Sequence, residues 1–194
     1  SSAASDVYKR QDHDSAEGQR VYYYKDYRDS VIFYRYQKGY QALPDNLQWG
    51  QDDPYNRKAE IREDEYGVKQ RCLAGCVPVA TAQYLAYYRH PQVVNGQKIN
   101  WKSIHKRGDH DQINQISTLI RALGDLYQVE WGIDGTGVYK ENKIYSVIPD
   151  LGYELAKYEN ARVVGNDSIV KILVNQLESR KGPFLIQGML TEDV

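Results

Sequence analysis

The sequence predicts an α+β fold, and three observations carry that expectation. Helical periodicity is gathered in the middle of the chain, at 77–89, 111–126 and 140–148, with a further helix at 167–179. Strand-like runs rich in Tyr, Val and Ile flank or interrupt that block at 21–40, 127–131, 153–158, 161–164 and 183–188. The two kinds of segment do not alternate as βαβ units do, and no internal repeat is present. Composition agrees: 41% hydrophobic and 26% charged residues in 194 are ordinary globular proportions. Mean hydropathy is -0.70, and no apolar run approaches the roughly 18 residues of a membrane span. Basic and acidic residues number 25 and 26, which argues against an electrostatic nucleic-acid binder. Tyrosine outnumbers phenylalanine 18 to 2, and a ring with a polar end suits wet clefts better than a dry core.

The elements follow in chain order. Residues 1–11 (SSAASDVYKRQ) resemble translated sequencing-adapter sequence and are set aside as a non-native scar, with a disordered polar leader as the alternative. Residues 12–40 read as a leader, with one or two half-buried strands in its Tyr-rich part. Its mix of basic and aromatic residues could suggest an RNA surface, but Asp26, Asp29 and the flat net charge oppose that. Residues 43–56 are loop-like, and 59–70 read as an exposed charged connector. In 77–89, Val77, Ala80, Tyr84, Tyr87 and Tyr88 recur at helical spacing, and Val79, Ala82, Leu85 and Ala86 widen the apolar face. Pro78 is tolerable in the first turn, and Pro91 marks the end. The second helix places Ile113, Ile116, Ile120 and Leu123 on one face. The fourth is expected to start from Asp167 as N-cap, with Ile169, Ile172, Leu173 and Leu177 inward. Residues 183–190 (PFLIQGML) read as a buried strand with only four residues after it, which suggests that more chain follows.

The chemistry concentrates at AGCVPVATAQ, residues 74–83. Cys76 falls at a helix start, where unpaired N–H groups and the helix dipole favour negative charge, and the thiolate is the nucleophilic form. Gly75 would let a substrate approach the sulfur closely. The alternative is a buried structural cysteine. Cys72 is expected to be a free loop thiol, since a Cys72–Cys76 disulfide would close a small, demanding ring. A cysteine nucleophile needs a base. His13 adjoins the scar, His90 lies roughly 20 Å away at the far end of the helix, and His105 and His110 lie in a charged turn. With Asp109 and Asp111 that turn could also hold a metal, but a solvated loop is the plainer reading, and no metal or cofactor is expected. WGIDGTG, residues 131–137, lacks dinucleotide-binding order and reads as a flexible cleft-side loop.

These motifs resemble the streptopain family of secreted bacterial cysteine endopeptidases. GCVPVATAQYLAYYRHP (residues 75–91) is similar to the family's nucleophile helix, and WGQDDPYN (49–56) is similar to its W-x-Q-x-x-P-Y-N. INWKSI, WGIDGTG (with Thr136 where the family has Ser), LGY at 151–153 and PFLIQG follow in the family's order. The resemblance covers about residues 43–190. It implies an incomplete papain-like fold with Cys76 at the start of a central helix, and residues 41–194 as the N-terminal part of a peptidase domain. It also implies Cys76 as nucleophile and Gln51 as oxyanion donor, with Trp49, Gly75, Gly135, Thr136 and Gly137 lining the binding region. Protein or peptide substrates, an N-terminal propeptide (of which 12–40 could be the remnant) and a secreted or cell-surface location are further implications. The family's general-base histidine is expected beyond Val194, so the 194 residues alone are not expected to be a competent peptidase. A non-catalytic papain-fold binding or adhesion module, or a papain-fold amidase or transferase, are the alternatives.

Overall fold

The computed structural model describes residues 19–25, 32–38, 43–154, 165–179 and 182–186, in two compact units, Ser1–Gln41 and Ala42–Val194. In the first unit, β1 (Gln19–Lys25) and β2 (Ile32–Lys38) pair antiparallel from Gln19↔Lys38 to Lys25↔Ile32. The strands expected in 21–40 are therefore a hairpin.

The second unit opens with a single 3-10 turn, Asp45–Leu47. The expected connector at 59–70 instead forms a short hairpin, β3 (Ile61–Glu63) with β4 (Lys69–Arg71). Its turn is built by Asp64, whose Oδ1 accepts the N–H groups of Tyr66 and Val68, both at 2.9 Å. A lone carboxylate can organise a charged segment in this way, and hydrophobic periodicity does not register it. Helix α1 (Cys76–Tyr88) follows, then the β5 (Val93–Val94) and β6 (Gln97–Lys98) ribbon, α2 (Trp101–His105), α3 (Gln112–Tyr127), α4 (Glu141–Asp150) and α5 (Asn166–Glu178).

The core forms where α1 packs on α3. Ala82, Leu85 and Ala86 are sealed in one cluster with Ile116, Leu119, Ile120 and Leu123. At the end of this seam the buried Thr81 and Tyr127 hydroxyls bond at 2.8 Å, so two polar groups enter the core as a satisfied pair. Burial raises the Tyr127 phenol above its ordinary pKa, with the Thr81 bond opposing. On α3 the expected stripe holds: Ile116, Ile120 and Leu123 are buried and Ile113 is partly so. On α1 the weights are reversed. The flanking set, with Val79, Ala82, Leu85 and Ala86, is the buried one, while Tyr87 and Tyr88 are exposed. Tyrosines on both sides of this helix blur its periodicity. They pack against one another and Tyr153 at tilted and edge-on angles, with Tyr84 and Tyr88 centroids 5.1 Å apart and Tyr84 and Tyr153 5.4 Å apart.

Several expectations need correction. Residues 127–131 contribute a single bridge, Glu130↔Gly137, because Val129 and Trp131 turn onto α3 instead of extending a sheet. No strand forms at 183–186; residues 155–164 and 187–190, which carry the other expected strands, lie outside those described. Helix α5 is capped by Gly165, not Asp167, and its Ile172 is exposed. Helix α2 is an addition: the Asn100 side chain accepts the Ser103 N–H and nucleates one turn around the buried Trp101 and Ile104. Among the described residues, no helix is long and apolar enough to cross a membrane.

Candidate active site

Cys76 is the first residue of α1 and its thiol is free and exposed. The first bond of the helix ladder runs from Val79 N–H to Gly75 O (3.1 Å). The N–H groups of Cys76 and Val77 therefore lie outside the ladder, and Pro78 has none, so the helix presents donors and no competing acceptor at this end. Gly75 turns the chain into the helix with φ 90 and ψ 135, a conformation costly for any side chain. A Cβ there would also sit 3.1 Å from Thr136 Cγ2 and 3.2 Å from both Pro78 Cδ and Thr136 O. Both the backbone and the space require glycine.

The three residues before Gly75 are fastened from two sides. On one side, Ala74 N–H donates to the backbone oxygen of Gln51 (2.8 Å), and Asn56 Nδ2 donates to Cys72 O (3.0 Å). On the other, Leu73 N–H donates to Gly132 O (3.0 Å), and Thr136 Oγ1 donates to Leu73 O (2.7 Å). Gly132 N–H closes the set by donating to Thr136 Oγ1 (3.1 Å). Two segments distant in sequence, the loop at 49–56 and the loop at 131–137, thus converge on the approach to Cys76.

The first loop is itself held. Trp49 Nε1 donates to Asn46 O (3.1 Å), its ring stacks on Tyr55 at 6.4 Å, and Gln83 of α1 donates to Leu47 O (2.5 Å). Gln51 is half-buried beside this framework, and among the described residues its side-chain amide takes no hydrogen bond. The second loop rests on α3 through Trp131, whose ring lies against Gly124 and under the Arg121 guanidinium, 5.0 Å from the centroid.

Of the residues expected in the binding region, Gly75 and Thr136 come together with the expected oxyanion donor Gln51 around the backbone leading to Cys76. Gly135 is exposed and open, Gly137 is half-buried against the Tyr139 ring, and Trp49 braces the Gln51 loop. Thr136 is buried with its hydroxyl occupied by Leu73 and Gly132, so it faces the protein. Asn56 was not singled out by sequence reasoning, though it closes the WGQDDPYN motif. It is buried, and its Oδ1 has no partner among the described residues.

Cys72 is a free thiol in the loop between β4 and α1, as expected, and it is fully buried there. Burial pushes its pKa up, partly countered by Arg62 and Arg71, so it stays a protonated thiol. The histidines stand elsewhere. The His105 Nε2 pairs with Ala86 O (2.7 Å), ten residues along α1 and so about 15 Å from its start. His90 follows the helix and packs on Tyr153, with centroids 5.5 Å apart. The exposed His110 lies 4.0 Å from Asp109. Asp109 and Asp111 are taken up in starting α3: Asp109 Oδ1 accepts Asp111 N–H (2.9 Å), and Asp111 accepts the Asn114 and Gln115 amides. Among the described residues no group of His, Cys, Asp and Glu could hold a metal ion.

A family model described as the peptidase C10 family matches residues 49–193. The fold is similar to a solved structure of active wild-type Prevotella intermedia interpain A cysteine protease, with a TM-score of 0.53 and 20% sequence identity. The match covers 68% of this chain and 63% of that one, so the chain spans under two thirds of the solved protein. At that identity the likeness establishes the fold, α+β and papain-like. No curated protein matches the chain.

Proposed function

The chain belongs to the peptidase C10 family, and from that premise we propose that it carries the nucleophile half of a streptopain-like cysteine endopeptidase. The observation that supports this reading is the exposed Cys76 thiol at the donor end of α1, on a backbone fastened to Gln51. In the proposed reaction the Cys76 thiolate attacks a substrate carbonyl carbon. The oxyanion that forms faces the Cys76 N–H and the Gln51 amide, two donors aimed at developing charge. The C–N bond then breaks, the amine leaves with a proton, and a thioester remains. Water attacks the thioester, the C–S bond breaks, and the acid product departs. By the family resemblance, the proton carrier in this scheme is a histidine beyond Val194; among the described residues no histidine hydrogen-bonds Cys76. Peptide or protein substrates, an N-terminal propeptide and a secreted or cell-surface location belong to the same reading.

Alkylation with iodoacetamide at mildly acidic pH, resolved by peptide mass spectrometry, tests it. Cys76 is expected to be labelled well ahead of Cys72 and of a free cysteine. Equal labelling of the two cysteines would refute an activated nucleophile. Sustained peptide hydrolysis by the 194 residues alone would refute the missing base.

A further inference from the structure

We propose that Thr136 is a positioning residue for the nucleophile, fixing the Leu73–Ala74–Gly75 backbone from which Cys76 projects. This rests on the reading of Cys76 as the nucleophile and adds the residue that aims it. Thr136 is 7% exposed, and its hydroxyl has one proton and two roles. The proton goes to Leu73 O at 2.7 Å, while Gly132 O is farther away at 3.3 Å. The oxygen accepts Gly132 N–H at 3.1 Å. Gly132 O in turn takes Leu73 N–H, so Leu73 is gripped through both its donor and its acceptor by one loop. The one proton of this hydroxyl is thus spent on the protein's own backbone.

The rest of the side chain acts on the next residue. The Cγ2 methyl and the carbonyl oxygen of Thr136 occupy the space that a Cβ on Gly75 would need. Gly75 at φ 90 sets the direction in which α1 starts, and hence where the free N–H groups and the sulfur point. If the Leu73 carbonyl loses its donor, the Leu73–Ala74 peptide is held only through the Ala74 N–H bond to Gln51 O, and the peptide before the turn at Gly75 is then fastened from one side instead of two. The hydroxyl makes both bonds to the Leu73 and Gly132 backbone, so it is the part that matters for aim, and the methyl only fills space.

The experiment compares wild type with T136V, T136A and T136S in the 194-residue chain. The rate constant for Cys76 alkylation is followed from pH 5 to pH 9, and melting is followed separately. T136V keeps the shape and removes the hydroxyl; its alkylation at neutral pH is expected to fall about three- to tenfold, with its pH profile displaced upward. T136S is expected to restore the wild-type profile and a rate within about twofold. If T136V does not fold, T136A is read in its place. The proposal is overturned if the hydroxyl-free variant melts earlier yet keeps the wild-type pH profile, or if T136S loses as much reactivity as that variant. An ordinary, unreactive Cys76 in the wild type would instead overturn the nucleophile reading, so the two failures are distinct.

Discussion

Gly124→Ala pits two effects of opposite sign against each other. Gly124 lies inside α3, where replacing glycine with alanine ordinarily stabilises a helix by about 1 kcal/mol. At this position the added Cβ would lie 2.8 Å from Trp131 Cη2 and 2.9 Å from Cζ2, with Val129 Cγ2 at 3.5 Å. The ring must retreat by roughly half an ångström to reach ordinary contact. It has little room to do so, because it is buried, carries Arg121 over its face, and is followed by Gly132, which is bonded to Leu73. Overpacking of this kind costs about 1–3 kcal/mol. The net expectation is a loss of up to roughly 2 kcal/mol, or up to about 4–8 °C in melting temperature for a chain of this size. Trp131→Phe removes the two offending atoms, so in that background only helix propensity remains and G124A becomes stabilising by up to about 1 kcal/mol. Urea denaturation followed by far-ultraviolet circular dichroism, on the four proteins of this cycle, measures both values. A stabilising G124A in the wild-type background would refute the packing argument, as would an equal effect in both backgrounds.

Three further expectations concern the site and its support. Cys76→Ser should abolish rapid alkylation while Cys72→Ser leaves it intact; the reverse pattern would exclude Cys76 as the reactive thiol. Gly75→Ala should destabilise by about 1–3 kcal/mol from its φ of 90 alone, and should slow alkylation of Cys76. An unchanged melting curve would contradict the positive-φ requirement. The pKa values of Tyr84, Tyr88, Tyr127 and Tyr153 are all raised, with burial as the leading cause. Their unfolded counterparts lose a proton near pH 10 while the folded ones hold theirs. Above that pH the unfolded state binds fewer protons, so this contribution to stability is complete below about pH 10 and is lost as pH rises through the folded pKa values. Denaturation midpoints at neutral and strongly alkaline pH, with phenolate absorbance as the titration readout, check the sign; a stability that stays level through the phenolate titration would contradict it.

What could be read from the sequence divides by range. Cys76, Gly75 and the course of α1 were legible because a helix start is encoded in a few adjacent residues. Helix α3 was legible because one face carries nearly all of its apolar side chains. Helix α1 misled in detail because its tyrosines continue the apolar periodicity onto the surface, and only packing against α3 decides which stripe is core. The bridge at Glu130 was overstated as a strand because Val129 and Trp131 satisfy β propensity while their burial comes from a helix. The roles of Asn56 and Thr136 were not legible, since their partners lie 16 and 63 residues away. The motifs containing them could be matched, but no local pattern says which carbonyl an amide or hydroxyl will find.

The bond between Thr136 and Leu73 also has a consequence in time. A chain made from its N-terminus exposes Cys76 long before Thr136 exists, and the contact closes a loop of 63 residues. If Thr136 aims Cys76 as proposed, rapid alkylation of this sulfur is expected only after α3 has formed and carried Trp131 into place, so reactivity at Cys76 would report how far the core has assembled.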